Sequence, residues 1–349
     1  MRMRSVKNLI GGEILAEPIR TREENILIPK GTAIKIDYLP LIESLGIDSL
    51  MIEDPYELYE EPHYIIDRTK KDSYVTKVRK ILENHVHNHP DDFRQFKTIA
   101  NDIVNDIDAL SDDAAIDVSE HSADLYEHTV MVTLLSVLIA KKLKLKKVQR
   151  YAIALGGLLH DVGLRYITVN YENCDMNEAD PLETFEYRKH TILGYCAMEK
   201  ADWIPDISKK MILNHHERID RSGFPMKQNN EEVECLIIQV CDAFESMISG
   251  IEAKRTTVHD AIDYLKHQAG IQFDHQIIDE LCKVVALYPV GTTIETSRRE
   301  NTVVVSQTND PERPIVMVLD IDEDTHELND QAPCLNLAIE KDISILRVD

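Results

Sequence analysis

The first sixty residues alternate short apolar runs with turn formers: "GGEILAEPI", "NILIPKGTAI" and "YLPLIESLGIDSLMI". Runs bounded in this way predict short strands, and the spacing inside the third predicts a helix that Gly46 can end. Residues 1–60 are therefore expected to form a small α/β module. The stretch 61–75, "EPHYIIDRTKKDSYV", loses periodicity and reads as a linker. Beyond it apolar residues recur at steps of three and four: Val78, Ile81, Leu82 and Val86, then Ile99, Ile103 and Ile107 after the turn "HNHPDD". "SEHSADLYEHTVMVTLLSVLIAKKL" has an apolar body with Ser119 as a candidate cap, and predicts a buried helix. Further helices are expected at about 147–160, 188–200, 206–216, 232–249, 258–268 and 275–286. After "YPVG" the pattern turns to "TIETS", "NTVVVSQT", "RPIVMVLDID" and "DISILRV", which predict strands. The expected architecture is mainly α: a helical bundle over 76–287, preceded by the α/β module and followed by a β-rich module over 288–349.

Composition narrows the partners. With 349 residues and 43% hydrophobic content, the chain can bury a substantial core. Its formal charge of −23 disfavours polynucleotides and anionic membrane surfaces, so a small anionic ligand would need cations supplied locally. Six cysteines lie scattered without a CxxC spacing, as expected for reduced thiols with no zinc or disulfide role. Without a stretch approaching about 20 apolar residues, the expectation is a soluble, cytoplasmic protein with no membrane partner.

The charged and titratable residues inside the helical pattern carry the chemistry. Asp124 and His128 are four apart and can share a helix face. His160 and Asp161 close the run "YAIALGGLLHD", with Gly163 as a natural stop; an aspartate has two oxygens and can span two cations, while histidine gives one a neutral nitrogen. His190 opens one predicted helix, and His215 and His216 end another. Asp242 lies within "LIIQVCDAFESM", where an unpaired charge would be costly. Singly, a buried histidine is more commonly a hydrogen-bonded core residue. Together these nitrogen and carboxylate groups, without thiolate, suggest two Fe, Mn or Zn ions and the hydrolysis of a phosphate ester through a metal-bridging hydroxide. By contrast His85, His87 and His89 alternate before Pro90 and read as exposed turn residues, and the acidic run 320–330 lacks the spacing of a calcium loop.

The order of these motifs, "LYEHTVMV", "GGLLHDVG", "KHTILG", "NHHERIDRSGFP", "QVCDAFESM" and "AGIQFD", resembles the HD-GYP proteins, a bacterial signalling subclass of the HD-domain phosphohydrolases. The resemblance covers about 119–286, and the flanking modules also resemble that family. It implies that His128, His160, His190, His215, His216 and Asp242 ligate metal, that Asp161 is the bridging ligand at the catalytic centre, and that Asp124 serves a third metal. It further implies two or three divalent ions, Fe or Mn with Zn also compatible, and cyclic di-GMP as the substrate of a phosphodiesterase.

Several positions depart from the family pattern. Leu164 stands where a lysine follows "HDVG", with Arg165 next to it. In "DRSGFP" Arg221 replaces a glycine and Phe224 a tyrosine, so that either the loop is reshaped or that glycine is dispensable. "GIEAKR" replaces a basic segment, with Lys254 and Arg255 as substitutes. Arg165, Arg221, Lys254 and Arg255 are thus the candidates for substrate phosphate. Three readings follow: a cyclic dinucleotide phosphodiesterase, a catalytically weak or inactive relative that binds metal or nucleotide and signals through a protein partner, and a hydrolase of another phosphoester. If activity is detuned at position 164, Leu164→Lys should raise the rate. Homodimerisation through the helices before 120 stays open.

Overall fold

The structure, a computed structural model of the chain, describes all residues except 1, 7–8, 10, 21–25, 45–46, 48, 54–61, 86–89, 111–114, 119–122, 230, 320–332 and 349. Of the three histidines before Pro90, His87 and His89 fall outside the described residues, as does the acidic run at 320–330, while His85 is the last residue of a helix. The chain divides into two units. One comprises Tyr64–Asp112 and Ala123–Cys282, and the other Met1–His63, Asp113–Ser122 and Lys283–Asp349. The architecture is mainly helical, with a small N-terminal strand and helix region and a small C-terminal antiparallel sheet, as the pattern predicts.

The helical unit is organised by α4 (Leu125–Lys142), in which every residue from His128 to Ala140 is buried. A helix apolar on all sides belongs in an interior, and α4 packs against α2 (Arg68–His85), α3 (Phe96–Ala109), α5 (Lys147–Leu159) and α9 (Val233–Ser249). Its buried threonines donate back to the carbonyl four residues earlier, Thr129 to Leu125 and Thr133 to Thr129, both at 2.7 Å, so neither leaves a polar group unmatched. The helix begins at Leu125 and is capped by Asp124, five residues later than the Ser119 start expected from sequence; Ser119 itself lies outside the described residues. Asp124 wins as cap because its carboxylate accepts from the amides of Tyr126 and Glu127 at 3.0 and 2.8 Å.

α3 buries Phe96, Ile99, Ala100, Ile103, Val104 and Ile107, one face of a helix. Lys141 of α4 donates to the Ile107 and Leu110 carbonyls that end α3. The later helices are α7 (His190–Met198), α8 (Asp206–Asn214), whose C-cap is His215, and α9, then α10 (Val258–His267) and α11 (His275–Val284). A helix absent from the sequence expectation, α6 (Pro181–Arg188), starts behind an Asp180 cap with proline at its first position. Among the described residues no helix is long and apolar enough to cross a membrane.

In the second unit β1 (Arg2–Ser5) pairs antiparallel with β4 (Ser49–Ile52), and β2 (Ile19–Arg20) with β3 (Ile26–Ile28). Their core gathers Val6, Leu15, Ile34, Ile52 and Ile42 of α1 (Leu39–Ser44). A five-stranded antiparallel sheet, ordered β8-β7-β6-β5-β9, uses β5 (Thr293–Thr296), β6 (Asn301–Ser306), β7 (Ile315–Val318), β8 (Cys334–Asn336) and β9 (Ile345–Val348). Asp117, 3% exposed, joins distant parts of this unit: its carboxylate accepts from the amides of His63 (2.8 Å) and Val290 (2.9 Å) and from the Gln307 side chain (2.9 Å). Burial raises its pKa above the ordinary carboxyl value, against the lowering effect of these hydrogen bonds.

Asp117→Ala leaves buried donors without an acceptor and should destabilise this unit by about 2–4 kcal/mol, with Asp117→Asn milder because one acceptor oxygen remains. Urea unfolding followed by circular dichroism measures both; a shift below about 1 kcal/mol for the alanine variant would show that the three segments are held elsewhere.

Candidate metal centre

Three helix ends and residues from within two further helices meet at one point. His160 is the C-cap of α5, His190 the first residue of α7, and His215 the C-cap of α8, followed by His216. His128 comes from the buried core of α4 and Asp242 from α9. With Asp161, all seven are buried, at 0–5% exposure, although each is titratable. Gly163 lets the segments approach this closely: a Cβ there would lie 1.8 Å from the His190 carbonyl oxygen. The 3-10 turn Val162–Tyr166 can therefore sit directly on the start of α7.

The backbone fixes which nitrogen faces inward. Nδ1 of His160, His190 and His215 lies 2.7, 2.8 and 2.9 Å from the carbonyl oxygens of Gly157, Tyr187 and Ile212, each three residues upstream. A carbonyl only accepts, so Nδ1 carries hydrogen and Nε2 offers its lone pair to the centre. In His128 the same anchoring role falls to Glu245, whose carboxylate accepts from Nδ1. This is the outer-shell arrangement that orients imidazoles for a cation.

Asp161 lies between two pairs of these nitrogens. Its Oδ2 is 3.4 and 3.3 Å from Nε2 of His128 and His160, and its Oδ1 is 3.5 and 3.4 Å from Nε2 of His190 and His215. Asp242 is divided in the same manner, with Oδ1 3.3 and 3.5 Å from His128 and His160 and Oδ2 3.7 Å from Nδ1 of His216. Neither oxygen of either aspartate has a hydrogen-bond partner, an expensive condition for buried carboxylates unless a cation is bound. Three groups of ligand atoms converge, each within 4.8 Å: Asp161, His190, His215 and His216; His128, His160 and Asp242; and His216, Asp242 and Glu252. The residues present therefore suit divalent ions, by donor type and by their unmatched oxygens.

The protonation balance sets what a cation must displace. Burial opposes charge on His128, yet Glu245, Asp161 and Asp242 outweigh it and hold the imidazole well above its ordinary pKa. Burial likewise opposes charge on His160, which Asp161 and Asp242 carry up to about 10. At His190 burial prevails and pushes the pKa down to about 3; burial, helped by His215, also pushes His216 well down. Burial would raise both aspartates, but the neighbouring imidazoles hold them well below the carboxylate range. Ionised carboxylates among imidazoles attract a cation, which competes with protons for the same nitrogens.

The remaining sequence candidates make other contacts. Asp124 caps α4 and pairs with Arg79 at 3.0 Å, and it belongs to none of the three converging groups. Arg165 donates to the Tyr126 hydroxyl at 3.3 Å; Arg255 donates to the Ser249 carbonyl that ends α9, at 3.0 and 3.2 Å. Arg221 and Lys254 are exposed. Arg221 itself adopts the left-handed conformation, φ 65°, so an arginine holds the backbone geometry that glycine favours. The glycine that this loop does need is Gly223, where a Cβ would lie 2.2 Å from the His216 carbonyl oxygen. Phe224 stacks on His216, with ring centroids 4.5 Å apart. Leu164 is 2% exposed, packed with Leu125, Met176 and Tyr187. The expectation that a lysine there would reach the substrate therefore meets an apolar cluster.

Sequence reasoning missed three participants. Glu245 was legible in principle, as a second charge three residues after Asp242 on the same face of an apolar helix. Tyr187, whose hydroxyl lies 3.1 Å from Nε2 of His216, and Glu252 gave no such signal.

A family model described as HD domain matches residues 114–277. The chain contains an HD domain. Its relatives include a cyclic di-GMP phosphodiesterase of Pseudomonas aeruginosa, 29% identical over 185 residues (52% of this chain, 44% of the relative), and one of Thermotoga maritima, 26% identical over 168 residues (46% and 45%). The chain thus spans less than half the length of these curated relatives. Among solved structures, an HDGYP protein from Bdellovibrio bacteriovorus shares the fold, with a TM-score of 0.51 and 16% identity, covering 80% of this chain and 97% of that one. The HD domain here is thus similar to those of HD-GYP proteins, as the motifs indicated.

Leu164→Lys should destabilise the HD domain by about 3 kcal/mol, through a charge placed in an apolar cluster, and should not raise any hydrolytic rate. A urea midpoint at the wild-type value together with faster turnover would show that position 164 does reach the substrate.

Proposed function

We propose that this protein is a metal-dependent phosphodiesterase that hydrolyses a cyclic dinucleotide, cyclic di-GMP being the first choice. The observation that carries the reading is the convergence of five buried imidazoles on Asp161 and Asp242, whose oxygens have no hydrogen-bond partner. The relatives named cyclic di-GMP phosphodiesterases support the substrate class. Divalent ions in such a centre supply Lewis acidity, activating water near neutral pH and offsetting phosphate charge.

The chain's own residues do the positioning. His160, His190 and His215 present Nε2 lone pairs because their Nδ1 hydrogens are committed to backbone carbonyls. Glu245 does the same for His128. Asp161 turns one oxygen toward each pair of imidazoles and would be the ligand shared by the ions at the catalytic centre. The reaction adds water across one phosphoester bond, the proton passing to the departing ribose oxygen. Arg165, half-buried in the turn after Asp161, is the nearest of the four cationic candidates in sequence to take substrate phosphate.

A second reading rests on Leu164. With an apolar side chain buried where the family motif has a cation, the protein would hold metal and nucleotide while turning over slowly, and would act through a protein partner. The purified full chain, assayed for metal content and then with cyclic di-GMP and added Mn²⁺ or Fe²⁺, separates the two. Turnover that Asp161→Asn reduces by about three orders of magnitude or more supports the phosphodiesterase. Bound metal and nucleotide without turnover supports the second reading, and turnover of another phosphoester alone replaces the substrate.

A further inference from the structure

The segment that follows α9 brings a carboxylate into the centre. Gly250, at φ 79°, ends the helix; two residues later Glu252 takes φ 54°, uncommon for a residue with a side chain. The backbone is clamped in that conformation from both sides. The Glu252 amide donates to the Tyr171 carbonyl at 2.7 Å, its carbonyl accepts from the Met176 amide at 3.0 Å, and the Asn173 amide donates to the Gly250 carbonyl at 2.8 Å. The side chain is turned inward and is 10% exposed. Ser246 donates to Oε1 at 3.2 Å, whereas Oε2 is buried without a hydrogen-bond partner, 3.4 Å from Nε2 of His216.

This placement is costly by itself. Its Oε2 is buried with no hydrogen-bond partner, and a second acid, Asp242, already lies in the same group of converging ligand atoms. A strained backbone and a second buried acid at one point are compatible with stability when a cation sits between them. Asp242 can serve two neighbours, because Oδ1 faces His128 and His160 while Oδ2 faces His216.

We propose that Glu252, His216 and Asp242 form a divalent-cation subsite in which Glu252 is a direct ligand, supplied by the clamped segment after α9. The proposal rests on the metal-binding reading of the cluster and adds to it a ligand that lies outside the motif set. A cation held there would satisfy the Glu252 oxygen that no hydrogen bond reaches.

The test is a titration of the chelator-stripped full chain with Mn²⁺, followed by calorimetry and by the electron paramagnetic resonance signal of free Mn²⁺. Wild type is compared with Glu252→Gln and Glu252→Gly. Both variants should bind Mn²⁺ at least about tenfold more weakly in one class of sites. Glu252→Gly should at the same time unfold at no lower urea concentration than wild type without metal, since glycine takes positive φ freely. Unchanged Mn²⁺ stoichiometry and affinity in both variants would overturn the assignment of Glu252 alone. A wild-type chain that takes up no Mn²⁺ would overturn the metal-binding reading beneath it.

Discussion

Five imidazoles and two aspartates out of contact with water are the constraint around which the helical unit is built. Removing a carboxylate from solvent costs several kcal/mol even after relaxation, and hydrophobic packing cannot recover that locally. The fold meets this cost by surrounding each aspartate with imidazole nitrogens and by fixing those imidazoles from behind. The anchors are mostly backbone carbonyls at helix ends, which would otherwise be left without donors. One set of hydrogen bonds thus completes three helix ends and sets three tautomers.

The geometry of the packing follows from the same need. α4 is buried along most of its length, so it can deliver His128 from the interior, where a surface helix could not. Gly163 and Gly223 stand where a neighbouring carbonyl oxygen leaves no room for a Cβ, and both lie beside histidines of the buried cluster, His190 and His216. Their role is close approach. Neither has a positive φ, so both glycines serve space, while Arg221, between His216 and Gly223, holds φ 65°.

Much of this was legible in the sequence because the chemistry breaks the pattern. His128 and Asp242 interrupt apolar helices, and His160, His190, His215 and His216 mark helix ends, so the same periodicity that predicts the helices isolates the residues. Helix positions from α5 onward were read closely for the same reason, whereas α6 was missed although Asp180 and Pro181 announce it. What could not be read was anything set by tertiary contact. Leu164 looked like a lost cation, but its packing against Met176 and Tyr187 depends on a loop with no periodicity. Asp124 looked like a ligand at helical spacing from His128, yet the amides of Tyr126 and Glu127 claim its carboxylate as a cap. Glu252 is brought inward by backbone hydrogen bonds from residues about eighty positions earlier, which no local pattern encodes.

The hydrogen bonds of Asp117 carry a consequence for biosynthesis. The chain visits the unit containing this aspartate three times, and the partners of its carboxylate span His63 to Gln307. A nascent polypeptide would have made every helix bearing a centre histidine before Gln307 left the ribosome. Assembly is therefore ordered in time: the imidazoles can gather early, while the flanking unit must wait for the last strands to emerge.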